Sequence, residues 1–527
     1  MTATLRRREA LLAAGAATLA AGFGSAFWRS ATATAASAQT GAGPYGPLLA
    51  PDANGVRLPK GFRSRVVARS LQPVPGTSYV LPLFPDGSAT FPTPDGGWIQ
   101  VVNSEVPLIG GASAIRYAKD GRIVDAYGIL TGTSTNCAGG PTPWGTWLSC
   151  EEVDEGRVWE CDPTGRTQPV VRPAMGVFKH EAACVDPVHE HVYLTEDRGD
   201  GCLYRFVPDH YPDLSQGRLE VATVTGTGGE GSVSWTPLPD PAARGRATRD
   251  QVAGATRFER AEGIWFDAGT VYVATTGDET IHALDTTTQR ISILYRRADA
   301  PGSPLQGVDN VTVSRSGDVY VCEDSYDNDP DAMDVCLITP EGEVARFCKL
   351  TGREHFLPSE LESEITGVAF SPDGSRMYFG SQRAGGVGAV YEISGPFRTA
   401  RPTGGGPAPV DPALLGLTAA SAISSTALLQ DGLRVRLTAA GPVAVTAVLK
   451  ARVRRNGRLR TVTVARQDRQ LAAGATSLRL RPRNGTTRAA VRAVRGATAA
   501  TLEVAVRQAD GSRAVRRRSV RIRGRRR

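Results

Sequence analysis

The sequence predicts an all-β chain: a six-bladed β-propeller followed by a small C-terminal β-sandwich-like domain. Three observations predict it. The 527 residues include 59 glycines and 35 prolines, a turn-rich composition that favours many short strands and excludes long coiled coils. One type of strand recurs six times at blade-like intervals. Charge is also divided unevenly: residues 403–527 hold 26 Arg+Lys against 5 Asp+Glu, whereas residues 39–402 hold 31 against 47.

The N-terminus reads Arg6-Arg7-Arg8, then a weakly apolar Ala/Gly stretch to Phe27 and a small-residue run ending at Ala36-Ser37-Ala38. This is the pattern of a twin-arginine signal peptide over residues 1–38 with cleavage after Ala38. A spanning anchor fits less well, because the apolar run is short and ends at Trp28-Arg29. The expectation is a protein secreted or held at the cell envelope, exported after folding.

The recurring strand occupies residues 97–102, 146–149, 191–195, 270–274, 318–322 and 376–380. Its aromatics, Trp98, Trp147, Tyr193, Tyr272, Tyr320 and Tyr378, lie 49, 46, 79, 48 and 58 residues apart. Four of these intervals suit one four-stranded blade, and the longest holds an insertion around 208–258. The propeller domain is therefore placed at 39–398. Ahead of each aromatic by 10 to 14 residues stands a second element: Asp86-Gly87, Cys137-Ala138-Gly139, Glu181, Glu262-Gly263, Asp309-Asn310 and Glu364-Ile365-Thr366-Gly367. Each begins the inner strand of its blade.

After the aromatic strands come Asn103 and Glu105, Glu151 and Glu152, Glu196 and Asp197, Asp278 and Glu279, Glu323 and Asp324, and Ser381 and Gln382. The topology brings both sets to one mouth of the channel. Unit charges ~4 Å apart repel by about 4 kcal/mol at an effective dielectric of 20, so such a ring calls for bound cations. Any one of these acids alone would read as a solvated turn residue. Their recurrence points to metal, with Cys137 suiting a transition metal and the carboxylates suiting calcium.

Eight cysteines occur, all within the acidic body. Export permits oxidation, and Cys184 with Cys202, Cys322 with Cys336, and Cys150 with Cys161 are the expected pairs, although spacing cannot fix connectivity. The six histidines are too scattered for a multi-His zinc site. Gly226 to Gly231 fits a dinucleotide-binding pattern in letters only, since no helix is expected after it. Asp327-Asn328-Asp329-Pro330-Asp331 resembles a calcium loop but lacks the Gly and closing Glu of an EF-hand.

The run Thr135-Asn136-Cys137-Ala138-Gly139-Gly140-Pro141-Thr142-Pro143-Trp144-Gly145-Thr146-Trp147-Leu148-Ser149-Cys150-Glu151-Glu152 resembles the signature of the PhoX-type alkaline phosphatases. These are exported six-bladed propellers with a mixed iron and calcium centre. The resemblance extends through Lys179-His180-Glu181, residues 194–199, Arg260-Ala261-Glu262 and the closing blade from Glu364 to Phe397. It implies hydrolysis of phosphate monoesters by attack of a metal-bound oxygen. Cys137 would be a thiolate ligand to iron (Fe3+), with Glu262 and Glu364 beside it; Glu181 would be a further metal ligand, with no ion assigned to it. Glu151, Glu196, Asp197, Asp309 and Glu323 would serve calcium, and Arg198 and Arg383 would clamp the phosphoryl oxygens. The chain departs from the family at Gly263, where a Trp is usual and here stands at 265, and at Ser104, where a His is usual. Those changes bear on substrate contacts. The alternatives are a calcium-dependent lactonase-like hydrolase and a noncatalytic envelope-binding propeller.

A Pro/Gly-rich linker, 399–413, leads to the basic domain, 414–527, whose strands alternate apolar and basic residues and end in Arg516-Arg517-Arg518 and Arg525-Arg526-Arg527. The expected partner is an anionic cell-envelope polymer. Specific nucleic-acid recognition is not expected, because no aromatic residue follows Phe397 to stack a base. A monomer is expected.

Overall fold

A computed structural model of the chain describes residues 39–324, 333–355, 363–401 and, with short interruptions, 414–524. The expected signal peptide, the acidic loop at Asp327–Asp331, most of the linker and the terminal Arg525–Arg527 lie outside the described residues. No helix among the described residues is long and apolar enough to cross a membrane. The chain divides into two compact units, Met1–Pro407 and Ala408–Arg527.

The first unit is built from strands. Three precede the repeats: β1 (Gln39–Thr40), β2 (Val56–Arg57) and β3 (Arg63–Arg69). The first group of four is β4 (Pro85–Pro92), β5 (Trp98–Ser104), β6 (Gly110–Tyr117) and β7 (Ile123–Thr133). The second is β8 (Asn136–Pro141), β9 (Trp147–Glu151), β10 (Val158–Cys161) and β11 (Val170–Val171). The third is β12 (His180–Asp186), β13 (His191–Glu196), β14 (Leu203–His210) and β15 (Asp213–Thr227), followed by β16 (Glu230–Pro237). The fourth is β17 (Ala261–Asp267), β18 (Thr270–Thr275), β19 (Thr280–Asp285) and β20 (Arg290–Arg296). The fifth is β21 (Val308–Val313), β22 (Val319–Glu323), β23 (Asp334–Ile338) and β24 (Glu343–Leu350). The sixth is β25 (Ile365–Phe370), β26 (Arg376–Ser381) and β27 (Ala389–Ser394), completed by β3 from the N-terminal end.

Each group is an antiparallel meander, and all six aromatic strands predicted from the repeat are second strands. The first strands touch in a closed cycle, β4 to β8 to β12 to β17 to β21 to β25 and back to β4. The fold is all-β and propeller-like. The insertion foreseen around 208–258 is a long hairpin: β15 and β16 pair from Glu220↔Pro237 to Thr227↔Glu230, and β16 joins β20, fusing the third and fourth groups into one nine-stranded sheet. Gly226 to Gly231 is the tip of that hairpin.

Apolar side chains alternate between the two faces of each sheet, so every interface between neighbouring groups carries its own core. Ile99, Val101 and Ala112 meet Trp147 and Cys161 between the first and second groups. Leu148 and Cys150 meet Val192, Leu194 and Tyr204 between the second and third. Comparable clusters fill the other interfaces.

This layering overturns the expected disulfides; all eight cysteines are unbonded. Cys150 lies in the core between the second and third groups, and Cys161 in the one between the first and second. Cys322 stands opposite Val335, and Cys336 opposite Val321, so neighbours in the ladder face opposite sides of the sheet. Cys184 and Cys202 are likewise in different cores. A one-residue offset in a strand flips the side chain to the other face, which spacing in sequence does not reveal.

The second unit contains β28 (Leu414–Ala419), β29 (Ala422–Ser424), α1 (Ser425–Gln430), β30 (Leu433–Ala439), β31 (Val443–Arg455), β32 (Arg458–Leu471), β33 (Gly474–Leu480), α2 (Gly485–Arg492), β34 (Ala497–Arg507) and β35 (Arg513–Arg523). Two sheets, β28-β30-β33 and β29-β35-β34-β31-β32, share one core that includes Val435, Leu437 and Leu478 from the first and Leu449, Leu502 and Ile522 from the second. The sandwich was legible in the alternation of apolar and basic residues. The two short helices were not; Ser424 caps α1, its side chain accepting from Ala427 N.

Candidate metal centre

Each first strand opens with one regular ladder pair: Pro85↔Ser104, Asn136↔Glu151, His180↔Glu196, Ala261↔Thr275, Val308↔Glu323 and Ile365↔Ser381. In the first five groups the register then shifts, and it resumes at Ser88, Gly139, Ala183, Ile264 and Val311. A bulge of this kind releases residues from the ladder and re-aims their side chains. The first residue released is Asp86, Cys137, Glu181, Glu262 or Asp309. In the sixth group the shift comes one residue later, after Thr366, and the acid, Glu364, stands just ahead of the strand.

In the first four groups the second released residue is Gly or Ala (Gly87, Ala138, Ala182 and Gly263), and neighbouring bulges abut closely there; in the fifth it is Asn310. A Cβ on Gly87 would lie 2.5 Å from Ala138 Cα, and one on Gly263 would lie 2.4 Å from Asp309 O. A narrow cavity runs beneath, lined by Gly87, Ala138, Ala182, Gly263, Asn310 and Gly367 among others, so each of the six first strands contributes to it. Asn103 fixes the second bulge: its Nδ2 donates to Cys137 O (3.1 Å) and Ala138 O (2.8 Å), while its Oδ1 accepts from Trp147 Nε1 and Ser149 Oγ, both at 2.9 Å.

A second ring comes from the residues that follow the last ladder pair: Glu105, Glu152, Asp197, Asp324 and Gln382. The two rings meet. Ligand atoms of Cys137, Glu152 and Glu181 all lie within 4.8 Å of one another, as do those of Asp86, Glu105 and Glu364. Cys137 Sγ donates to Glu181 Oε1 at 3.3 Å. Gln382 Nε2 donates to Asp86 and Glu105.

Three cations sit among these acids. Lys179 Nζ lies 2.7 Å from Glu152 and 2.8 Å from Asp197. Arg260 reaches Asp197 (3.0 Å), Glu262 (2.5 Å) and Asp324 (3.6 Å). Arg383 reaches Glu364 (3.0 Å) and Glu105 (3.4 Å). They are outnumbered. Burial first, and neighbouring carboxylates second, push Asp86, Glu105 and Glu262 up to about 8. The same causes put Glu152, Glu181, Asp309 and Asp324 well above the carboxylate range, and the Cys137 thiol well above its own. Asp197 is the exception: against burial, Arg260 and Lys179 hold it below its ordinary value.

The donor set fits metal. Cys137, Glu152 and Glu181 make a mixed sulfur and oxygen site, whereas Asp86, Glu105 and Glu364 offer oxygen alone. Asp86 Oδ1 is buried without a hydrogen-bond partner among the described residues.

Of the residues expected from sequence, Cys137, Glu181, Asp197, Glu262, Asp309, Glu364 and Arg383 reach this mouth. Glu151, Glu196, Glu323 and Arg198 do not. Glu151 accepts from Ser134 N and Trp159 Nε1. Glu196 is held by Tyr204 Oη, Cys202 N and Arg249. Glu323 accepts from Gln306 N and Asp334 N and forms a separate buried group with Asp334 and Cys336. Arg198 turns to Asp154 and Asp200. In the doublets Glu151-Glu152, Glu196-Asp197 and Glu323-Asp324 the first member still belongs to the ladder and the second has left it, so Glu152, Asp197 and Asp324 enter the mouth, whereas Asp278 and Glu279 both lie in the turn between β18 and β19. Lys179 and Arg260 escaped the sequence reading; each immediately precedes a first strand, a position that the repeat could have flagged.

A family model described as "Alkaline phosphatase PhoX" matches residues 99–160, 154–292 and 283–385. No curated protein matches the chain. Among solved structures, a gluconolactonase from Xanthomonas campestris is 13% identical, with a TM-score of 0.37 over 67% of this chain and 99% of that one. A putative 6-phosphogluconolactonase from Bacteroides uniformis is 14% identical, with a TM-score of 0.34 over 57% of this chain and 79% of that one. A chain of a nidogen/laminin complex is 15% identical, with a TM-score of 0.32 over 56% of this chain and 90% of that one.

Proposed function

The chain belongs to the PhoX alkaline phosphatase family, and from that membership we propose that it is a metal-dependent phosphatase, exported through its twin-arginine leader, that hydrolyses phosphate monoesters. The observation that carries the reading is the convergence of nine carboxylates and one thiol on one mouth with only three cations among them. Left alone, Asp86, Glu105, Glu152, Glu181, Glu262, Asp309 and Asp324 hold protons that surface carboxylates would have lost. Cys137, Glu152 and Glu181 would hold iron, and Asp86, Glu105 and Glu364 would hold calcium. When bound, such ions supply positive charge to a phosphoryl group and lower the pKa of a water.

The chain's own groups prepare that site. Asn103 fixes the backbone beneath Cys137, which keeps the thiol aimed at the mouth. Glu181 Oε1 accepts a hydrogen bond from the Cys137 thiol, which keeps the two donor groups side by side. Metal loading requires thiol and carboxylates to release their protons, so occupancy improves as pH rises, in keeping with alkaline function. Arg383, held by Glu364 and Glu105, and Arg260, held by Asp197 and Glu262, present guanidinium groups suited to nonbridging phosphoryl oxygens. Ser104 does not stand in for the usual His: it is buried and donates to Leu83 O at 2.6 Å. The reading retains the metal set and leaves substrate contacts to the arginines.

The test is to purify the exported protein without chelator, measure its metals, and assay p-nitrophenyl phosphate with calcium. Iron, calcium and turnover support the phosphatase. A fully metallated sample that leaves phosphate monoesters intact overturns it; cleavage of lactones with calcium alone would favour the lactonase reading, and metal without any turnover an envelope-binding propeller.

A further inference from the structure

The metal centre leaves the basic unit unexplained. Its three-stranded sheet, β28-β30-β33, has one apolar face turned to the core and one face turned to solvent. On β30, Leu433, Val435 and Leu437 are buried while Arg434 and Arg436 are exposed; on β33, Leu478 and Leu480 are buried while Arg479 is exposed. The ladder sets Arg434 directly opposite Arg479. Arg481 follows β33, also exposed, and its Nε donates to Asp431 O. Arg479 and Arg481 then line a cleft with Arg488 of α2 and Gln430 of α1.

Like charges directly opposite in a ladder destabilise a sheet. Nothing among the described residues compensates this pair. Of the unit's described acids, Asp468 pairs with Arg466 and Glu503 with Lys450, both on the five-stranded sheet, while Asp431 meets Arg481 through its main-chain carbonyl. Arg434 and Arg436 on β30, and Arg479 on β33 with Arg481 just beyond it, thus share the solvent face, with i,i+2 backbone positions about 6.8 Å apart along a strand. Such a face suits a linear polymer with a repeating negative charge, because each contact is weak and their number supplies the affinity.

We propose that this face, Arg434, Arg436, Arg479 and Arg481 with Arg488, is the docking surface for a phosphate-bearing polymer of the cell envelope. Phosphodiester is the chemistry that guanidinium forks match best. Nucleic acid is less favoured, since the unit contains no aromatic residue on which a base could stack. The face also resolves a conflict in the molecule. Residues 39–402 carry 31 basic and 47 acidic groups, a body that a polyanion repels, so retention on such a polymer needs a separate basic surface. The inference concerns attachment and holds whether or not the metal centre is a phosphatase.

The experiment uses the full chain and poly(glycerol phosphate), with duplex DNA and hyaluronate as comparison polymers. A variant carrying Arg434→Gln, Arg436→Gln, Arg479→Gln and Arg481→Gln is set against a charge-matched one carrying Arg466→Gln, Arg469→Gln, Arg521→Gln and Arg523→Gln, all exposed on the other sheet. We expect binding of poly(glycerol phosphate) at about 0.15 M salt, weakened at least tenfold in the first variant and far less in the second. The salt slope of the first variant should fall by about one for each arginine that contacts phosphate. The first variant should melt no lower than wild type, because it removes a repulsive pair. Hydrogen-exchange protection of β30 and β33 in the wild-type chain, on adding the polymer, reads the same face with no substitution. Equal losses in the two variants, tighter binding of DNA or hyaluronate, or no binding at all overturns the proposal.

Discussion

Cys137 occupies the position that Asp86, Glu181, Glu262 and Asp309 hold in other groups, and a single sulfur among equivalent oxygens is an asymmetry that matters to a metal. Cys137→Ser keeps the volume and removes the soft donor. Transition-metal content should fall to background while calcium stays, and turnover of p-nitrophenyl phosphate should drop by at least 100-fold, about 2.7 kcal/mol in the barrier. Asn103→Ala should cost about 2–4 kcal/mol in denaturant unfolding, because Trp147 Nε1 and Ser149 Oγ would lose a buried acceptor and two carbonyls a donor. At this scale the sequence was half legible. Recurrence marked the right places in the chain, and Cys137, Glu181, Glu262 and Asp309 follow from it directly. Choosing between Glu151 and Glu152, or Glu323 and Asp324, needed the last hydrogen-bonded pair of each ladder, which residue spacing does not carry.

The bulge is the working element. It appears in all six first strands, and at Gly87 and Gly263 the neighbouring bulge leaves no space for a side chain. Gly263→Ala would put a Cβ 2.4 Å from Asp309 O, so β17 or β21 must shift. We expect a loss of about 1–3 kcal/mol in stability together with reduced metal content, measured by denaturant titration and metal analysis on the same sample. The same contact leaves no room at 263 for the Trp that the resemblance leads one to expect, and Trp265 packs against the core between the fourth and fifth groups. Strands were easier to foresee than bulges, since aromatic and β-branched runs announce a strand whereas a bulge is a change of register between two of them. The disulfides failed for the related reason that register decides which face a cysteine occupies.

Across the whole molecule, metal-free and metal-loaded protein should differ in their response to pH. In the metal-free chain Asp86, Glu105 and Glu262 titrate near 8 when folded, against about 4 when unfolded. The folded state therefore binds more protons than the unfolded one between those values. Their contribution to stability is complete below about pH 4 and is lost as pH rises through about 8. The melting temperature of chelated protein should fall from about pH 5 to about pH 9, and saturating calcium should flatten or reverse that slope. A parallel slope with and without calcium would show that the cage does not bind it. The division into an acidic body and a basic unit was visible in charge counts alone, whereas the face that uses the basic charge depended on which strands pair.

The sixth group borrows β3, so its outer edge is sealed by a strand made more than 300 residues earlier: Tyr391 pairs with Val66 and Ser394 with Arg63. During synthesis the first five groups can collapse in turn, yet the circle stays open until residue 394 has emerged. One of the three carboxylates of the all-oxygen pocket waits as well, because Glu364 comes from this last group while Asp86 and Glu105 come from the first. The protein thus has a built-in order of events in which the Cys137 site, made by the second and third groups, is complete early, whereas the all-oxygen site is complete only when the ring closes, and an ion held there would resist reopening of the seam.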